Sequence, residues 1–136
     1  MRYAYMRQTR GGLCLSIDQQ LDVMADAKCQ RLVIERPVKG ARLPCLAAIL
    51  KNIKNGDALV VCEFPTLSVS SRRIKKLALL LEASGANLIV LSCGVDMAKR
   101  GFIHTLICIK RYEWFELGMA KEACRERSLI DPKHFQ

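Results

Sequence analysis

Two short apolar runs set the limits on this chain. Ala58 to Phe64 (ALVVCEF) and Asn87 to Cys93 (NLIVLSC) are strand-sized and almost free of polar residues. Pro65 stops the first, and Gly94 follows the second. A strand with one wet face alternates apolar and polar residues; a strand that does not alternate is covered on both faces. Such strands belong to parallel sheets flanked by helices, so the remaining chain must supply those helices.

It does so in alternation. Arg2 to Gln8 (RYAYMRQ) reads as a first strand and Gln30 to Glu35 (QRLVIE) as a second, stopped by Pro37 and Gly40. Between them a helix starts at Ser16, with Gln19 three residues on in a capping-box pattern. Ile17, Leu21, Met24 and Lys28 share one face of it. A second helix opens at Pro44 and carries Leu46, Ile49, Leu50 and Ile53 inward, with Gly56 expected just past its end. A third, capped by Ser70 or Ser71 and closed by Gly85, turns Ile74, Leu77, Leu80 and Leu81 inward. A long last helix is expected from Phe102 to Arg127, weakened at Gly118. The order is β-α-β-α-β-α-β-α. The expected fold is a single-domain α/β protein, with a mostly parallel sheet flanked by helices and a long C-terminal helix. Loops at the carboxyl ends of such strands form one rim, here Gln8 to Gly12, Pro37 to Leu43, Pro65 to Ser70 and Gly94 to Arg100.

The 136 residues fit one domain. No run approaches the eighteen or so apolar residues of a membrane span. Arg2, Arg7 and Arg10 interrupt every apolar stretch at the start, so neither a secretory leader nor a membrane partner is expected. The formal charge of +9 favours an anionic partner, nucleic acid first, although a basic but unrelated soluble protein fits composition equally well. Seven cysteines without CxxC spacing support neither a zinc ribbon nor a redox dithiol motif. They point to a reducing cytoplasm, with no metal or other cofactor expected.

The opening strand Tyr3-Ala4-Tyr5-Met6-Arg7-Gln8-Thr9, followed by Ser16-Ile17-Asp18-Gln19-Gln20-Leu21, resembles the catalytic domain of the serine recombinases, the resolvases and DNA invertases. That family opens with a Tyr-Ala-Arg-Val-Ser-Thr strand and a Ser-Leu-Asp-x-Gln helix start. Lys39-Gly40-Ala41, Pro44-Cys45-Leu46, Asn55-Gly56-Asp57-Ala58-Leu59-Val60-Val61 and Glu82-Ala83-Ser84-Gly85-Ala86 match further family segments in order. The resemblance covers residues 1–127 and leaves 128–136 as a short tail, with no helix-turn-helix domain.

What the resemblance implies is phosphoryl transfer in DNA. A serine hydroxyl attacks a phosphodiester, and arginines surround the charged phosphate oxygens. The nucleophile's place falls on Thr9, whose extra methyl crowds the attack path. Arg7 keeps the first family arginine. The arginine before the family's Pro-x-Leu corresponds to Leu43, with Arg42 one residue earlier as a substitute. The family's Leu-Asp-Arg-Leu-x-Arg is replaced by Phe64-Pro65-Thr66-Leu67-Ser68-Val69, and its helical Glu-Arg by Glu113-Trp114. Thr9, Arg7 and Arg42 are thus the vestigial catalytic set. Losing one oxyanion contact costs about a hundredfold or more in rate, so losing three or four removes useful cleavage.

In the family the last helix forms the subunit interface. Here Ile103, Leu106, Ile107, Trp114 and Leu117 make an apolar stripe that fits dimer formation or packing on the chain's own sheet. Arg72, Arg73, Lys75 and Lys76, with Lys121, Arg125 and Arg127, are candidates for salt-sensitive phosphate contact, or simply a solvated face. The reading adopted is a resolvase-like domain in DNA recombination or its regulation that does not cut DNA. It acts by oligomerising and by weak binding of DNA or a partner, such as an active recombinase. Two alternatives stand beside it: an active recombinase using Thr9, and a protein–protein interaction module unrelated to DNA.

Overall fold

A computed structural model describes residues 1–8, 15–36, 43–68 and 70–114. The chain runs β1 (Arg2–Arg7), α1 (Ile17–Met24), β2 (Arg31–Glu35), α2 (Pro44–Asn52), β3 (Ala58–Val61), α3 (Phe64–Leu67), α4 (Ser71–Ala83) and β4 (Asn87–Val90). A 3-10 turn (Leu91–Cys93), β5 (Val95–Asp96), α5 (Met97–Arg100) and helix α6 (102–114) follow. The sheet order is β2-β1-β3-β4-β5, parallel throughout except for β5, which runs antiparallel to β4. The α/β architecture expected from the sequence is the one observed.

Both faces of the sheet are covered, unequally. On one face Tyr5, Leu59, Val61, Leu88 and Val90 meet Leu46, Ile49 and Ile53 around α2, Ile74, Ala78 and Leu81 of α4, and Cys108 and Ile109 of α6. On the other, Ala4, Val60, Cys62 and Ile89 meet Met24 of α1. Among the described residues one short helix, α1, covers this second face, with Leu15, Ala27, Cys29 and Leu91 packed beside it, and Leu32 at the β2 edge stays 56% exposed. The non-alternating β3 run is buried at all four positions, as two-sided cover requires.

Local chemistry explains several boundaries. Ser16 Oγ accepts the Gln19 N–H while the Gln19 side chain accepts the Ser16 N–H, the reciprocal box expected at α1. At the end of α4, the Ala86 N–H reaches Leu81 O and the Gly85 N–H reaches Glu82 O. This is a Schellman closure with Gly85 at φ +70°, which Gly adopts without strain.

The structure corrects the sequence reading at other ends. β3 stops at Val61 rather than Phe64, and Phe64-Pro65-Thr66-Leu67 forms the short helix α3 where a strand end and loop were expected. Pro65 ends the strand but suits a first helical turn. β4 stops at Val90, and the expected rim loop after Gly94 holds β5 and α5. Gly56 is not the residue next to the end of α2: that helix ends at Asn52 with the extended Ile53 as its C-cap, and Gly56 lies in the following turn at φ +90°. Leu21 and Leu80, expected inward, are 37% and 46% exposed; Gln20 and Ala78 are buried on those helices instead.

Candidate functional site

The rim at the carboxyl ends of the parallel strands is where this fold places its functional groups. At the end of β1 the half-buried Arg7 is held through its backbone. β3 pairs with β1 only as far as Ala4, so the later backbone groups of β1 lack a strand neighbour on that side. The buried Gln20 of α1 takes that place. Its Oε1 accepts the Arg7 N–H at 3.1 Å, and its Nε2 donates to Arg7 O at 2.8 Å and to Leu15 O at 2.7 Å. One amide thereby satisfies three backbone groups that burial would otherwise orphan. On the other side of β1, the Gln8 N–H reaches Glu35 O at 2.9 Å.

At the end of β2 stands a buried carboxylate. Glu35, 2% exposed, accepts the Cys45 and Leu46 N–H groups at 3.0 Å each and the Tyr5 hydroxyl at 3.2 Å. α2 begins after Leu43, which has no side chain able to cap. Glu35 therefore does from another strand what an N-cap residue usually does, and its charge complements the helix dipole. Burial first, and the Glu35 charge second, hold the Tyr5 phenol far above its ordinary value, so it remains a donor.

At the end of β3, Glu63 accepts the Leu15 N–H at 3.1 Å. The residues that follow turn inward: Phe64 is 4% exposed, Thr66 0% and Leu67 2%. Phe64 packs against Tyr112 of α6 with ring centroids 5.5 Å apart. Thr66 Oγ1 is buried with no hydrogen-bond partner among the described residues. This stretch is where the sequence comparison expects arginines that reach a phosphate. At one of those two positions Thr66 is small and packed into the core; the other, Val69, lies outside the described residues.

Of the residues singled out from sequence, Arg7 lies on this rim. Thr9 and Arg42 lie outside the described residues, as do Leu117, Lys121, Arg125 and Arg127. Arg72, Arg73, Lys75 and Lys76 are exposed on the first two turns of α4. Ile103, Ile107 and Trp114 are 73%, 47% and 71% exposed on α6, while Leu106 is half-buried. The opposite face of α6 docks on the sheet through Thr105, Cys108, Ile109 and Tyr112, so the helix has both an internal and an outward apolar side. Sequence reasoning missed Gln20, Glu35 and Glu63. One signal for Glu35 was available: a carboxylate ending a strand, followed by a helix start without a capping side chain.

Among the described residues no three metal-binding side chains converge, and no helix is long and apolar enough to cross a membrane. Glu35, Glu63 and Gln20 are each engaged in holding backbone and so fix the loops around them. Arg7, Arg36, Lys99 and Arg100 are the described cations of this rim, and residues 9–14 and 37–42 lie outside the described residues.

The fold is that of the resolvase-type recombinase catalytic domain. The chain is similar to the N-terminal catalytic domain of TP901-1 integrase, with a TM-score of 0.63 and 20% identity over 87% of this chain and 97% of that one. It is also similar to a resolvase family site-specific recombinase from Streptococcus pneumoniae, with a TM-score of 0.59 and 16% identity over 93% and 96% of the two chains. No protein-family model matches the sequence, and no curated protein does.

Proposed function

We propose that this chain is a recombinase-type domain that works in DNA recombination or its control without cutting DNA itself. It oligomerises through α6 and touches DNA, or a DNA-bound partner such as an active recombinase, weakly and electrostatically. The inward turn after β3 carries this reading. An active phosphoryl-transfer centre needs donors aimed at the phosphate oxygens. Thr66, at 0% exposure and with its hydroxyl unpaired among the described residues, presents no such group.

Two further observations support the binding part. Arg72 and Arg73 stand in the first turn of α4, with no acidic residue there. Cations at a helix N-terminus oppose its dipole, at roughly 0.3–1 kcal/mol each. Their position is therefore unfavourable for the helix alone and suits an external anion, which would meet both the dipole and the guanidinium groups. On α6, Ile103, Ile107, Lys110 and Trp114 follow a 4-3-4 spacing, the seam of a two-helix contact. Lys110 is paired with Glu113 at 3.8 Å.

The test is the salt dependence of binding to a short duplex of arbitrary sequence, followed by fluorescence anisotropy. Binding falls with salt at a slope of about 0.9 per phosphate contact. Replacing Arg72, Arg73, Lys75 and Lys76 together by alanine lowers that slope by roughly two to four. No retention of DNA even at low salt, or a slope untouched by the fourfold change, would overturn the DNA-binding reading.

A further inference from the structure

A groove of about 490 Å³ opens beside the rim, between the end of β3, the 3-10 turn and α6. Its lining includes two thiols, Cys93 of the turn and Cys108 of α6, together with Arg111 and Tyr112. Cys108 Sγ lies 3.7 Å from His104 Nε2, one helical turn away. The same Nε2 lies 3.5 Å from Arg100 Nη1, and that Nη1 lies 3.5 Å from Gly94 O, the carbonyl next to Cys93. Arg100 thus ties the segment of one thiol to the base beside the other.

The tautomer follows from donor chemistry. A guanidinium can only donate, so Nε2 must be the accepting nitrogen, and Nδ1 carries the ring hydrogen. His104 Nδ1 is buried and has no partner among the described residues. The one acceptor lone pair of the ring is therefore shared between Arg100 and the Cys108 thiol. A thiol with a base in reach, opening on a cavity, is the arrangement of an activated sulfur nucleophile. We propose that Cys108 and Cys93 are a dithiol modification site for low-molecular-weight disulfides, with His104 as the base for Cys108.

The steps balance. The Cys108 S–H proton passes to His104 Nε2, and the thiolate attacks one sulfur of the reagent RSSR. The reagent's S–S bond breaks, and the departing sulfur takes the proton from His104 and leaves as RSH. Cys93, its proton lost to solvent, then attacks the Cys108 sulfur of the mixed disulfide. A second RSH departs after taking up a proton. Two thiols are oxidised to one disulfide and RSSR is reduced to two RSH.

The environment orders the thiols. His104 stands against Cys108, which therefore attacks first where the groove reaches it, and Cys93, on the exposed 3-10 turn and with its thiol raised by desolvation of the sulfur, resolves. Burial also raises Cys29, whose Sγ contacts Ala27 O, and contact with the Glu35 carboxylate raises Cys45. The resulting bond would fasten the 3-10 turn to α6 and narrow the groove.

The full chain, reduced and then exposed to oxidised glutathione near neutral pH, is quenched by alkylation and mapped by peptide mass spectrometry. The expected course is glutathione on Cys108 first, then a Cys93–Cys108 disulfide. Cys93→Ser stops at the Cys108 mixed disulfide. His104→Gln slows the first step roughly tenfold, because the thiol must then ionise unaided, and its rate follows only free-thiol ionisation with pH. Circular dichroism checks the fold of both variants, so the test does not depend on a Cys108 substitution. First modification at any other cysteine, a mixed disulfide at Cys108 that persists in the unaltered chain, or an unchanged rate in His104→Gln overturns the proposal.

Discussion

Glu35→Ala is the substitution that most directly probes how the rim is built. The carboxylate accepts two N–H groups from the first turn of α2 and the Tyr5 hydroxyl, at 2% exposure. Hydrogen bonds to a charged group contribute about 1.5–3 kcal/mol each, and a lost helix cap costs about 0.5–2 kcal/mol. The donors left behind in α2 lie close enough to the helix end to find water in part; the Tyr5 hydroxyl, on a residue at 0% exposure, does not. These effects overlap, so the expected loss is about 3–5 kcal/mol, a large share of the 5–15 kcal/mol typical of a domain. Glu35→Gln retains an acceptor and costs about 1–2 kcal/mol. Tyr5→Phe alone costs about 1 kcal/mol, and in the Glu35→Ala background it costs nothing further, because the partner is already gone. Urea unfolding followed by far-ultraviolet circular dichroism measures the unaltered chain and all four variants. The pH dependence gives a second readout. Because the folded-state Tyr5 value is raised, its contribution is complete below the ordinary phenol value of 10.0 and is lost as pH rises above it. The alkaline fall in stability is therefore shallower in Tyr5→Phe. A Glu35→Ala loss below about 1 kcal/mol, or full additivity of the pair, refutes the reasoning.

Three further substitutions separate packing from function. Thr66→Val removes a buried hydroxyl that has no partner among the described residues and keeps the volume; thermal melting should show it neutral to about 1 kcal/mol more stable. Gly85→Ala places a Cβ 2.6 Å from Asn55 Oδ1 at a left-handed φ of +70°, so urea unfolding should show a loss of about 1–3 kcal/mol. Ile107→Glu, at a 47% exposed position, should leave monomer stability within about 0.5 kcal/mol while sedimentation equilibrium shows loss of self-association.

The elements whose signals are local were legible in the sequence. The Ser16–Gln19 box, the non-alternating β3 run and the Gly85 closure each act within a few residues, and each appears where the pattern places it. The failures have a common physical origin. β3 ends at Val61 because Pro65 both breaks a strand and suits a helix start, and sequence alone does not rank the two. Leu80 fits the helical period yet faces water, because the stripe of α4 that is buried runs through Ile74, Ala78 and Leu81. Gln20 and Glu35 are long-range solutions: one replaces a missing strand neighbour, and the other caps a helix from a different element. Neither leaves a periodic trace. On the site, the replacement of the family's arginines by Thr66 and Val69 was readable, whereas the burial of Thr66 was not, because it depends on α6 closing over α3.

The central claim is that a recombinase scaffold persists here without the cationic surroundings that strand cleavage requires. Its most direct test is trapping with DNA carrying a nick that prevents rejoining, resolved on a denaturing gel, with the chain alone, its Thr9→Ala variant, and an active recombinase as positive control. The account predicts no covalent protein–DNA species from the chain at any incubation time. A covalent species that forms with the chain and disappears in Thr9→Ala would contradict it.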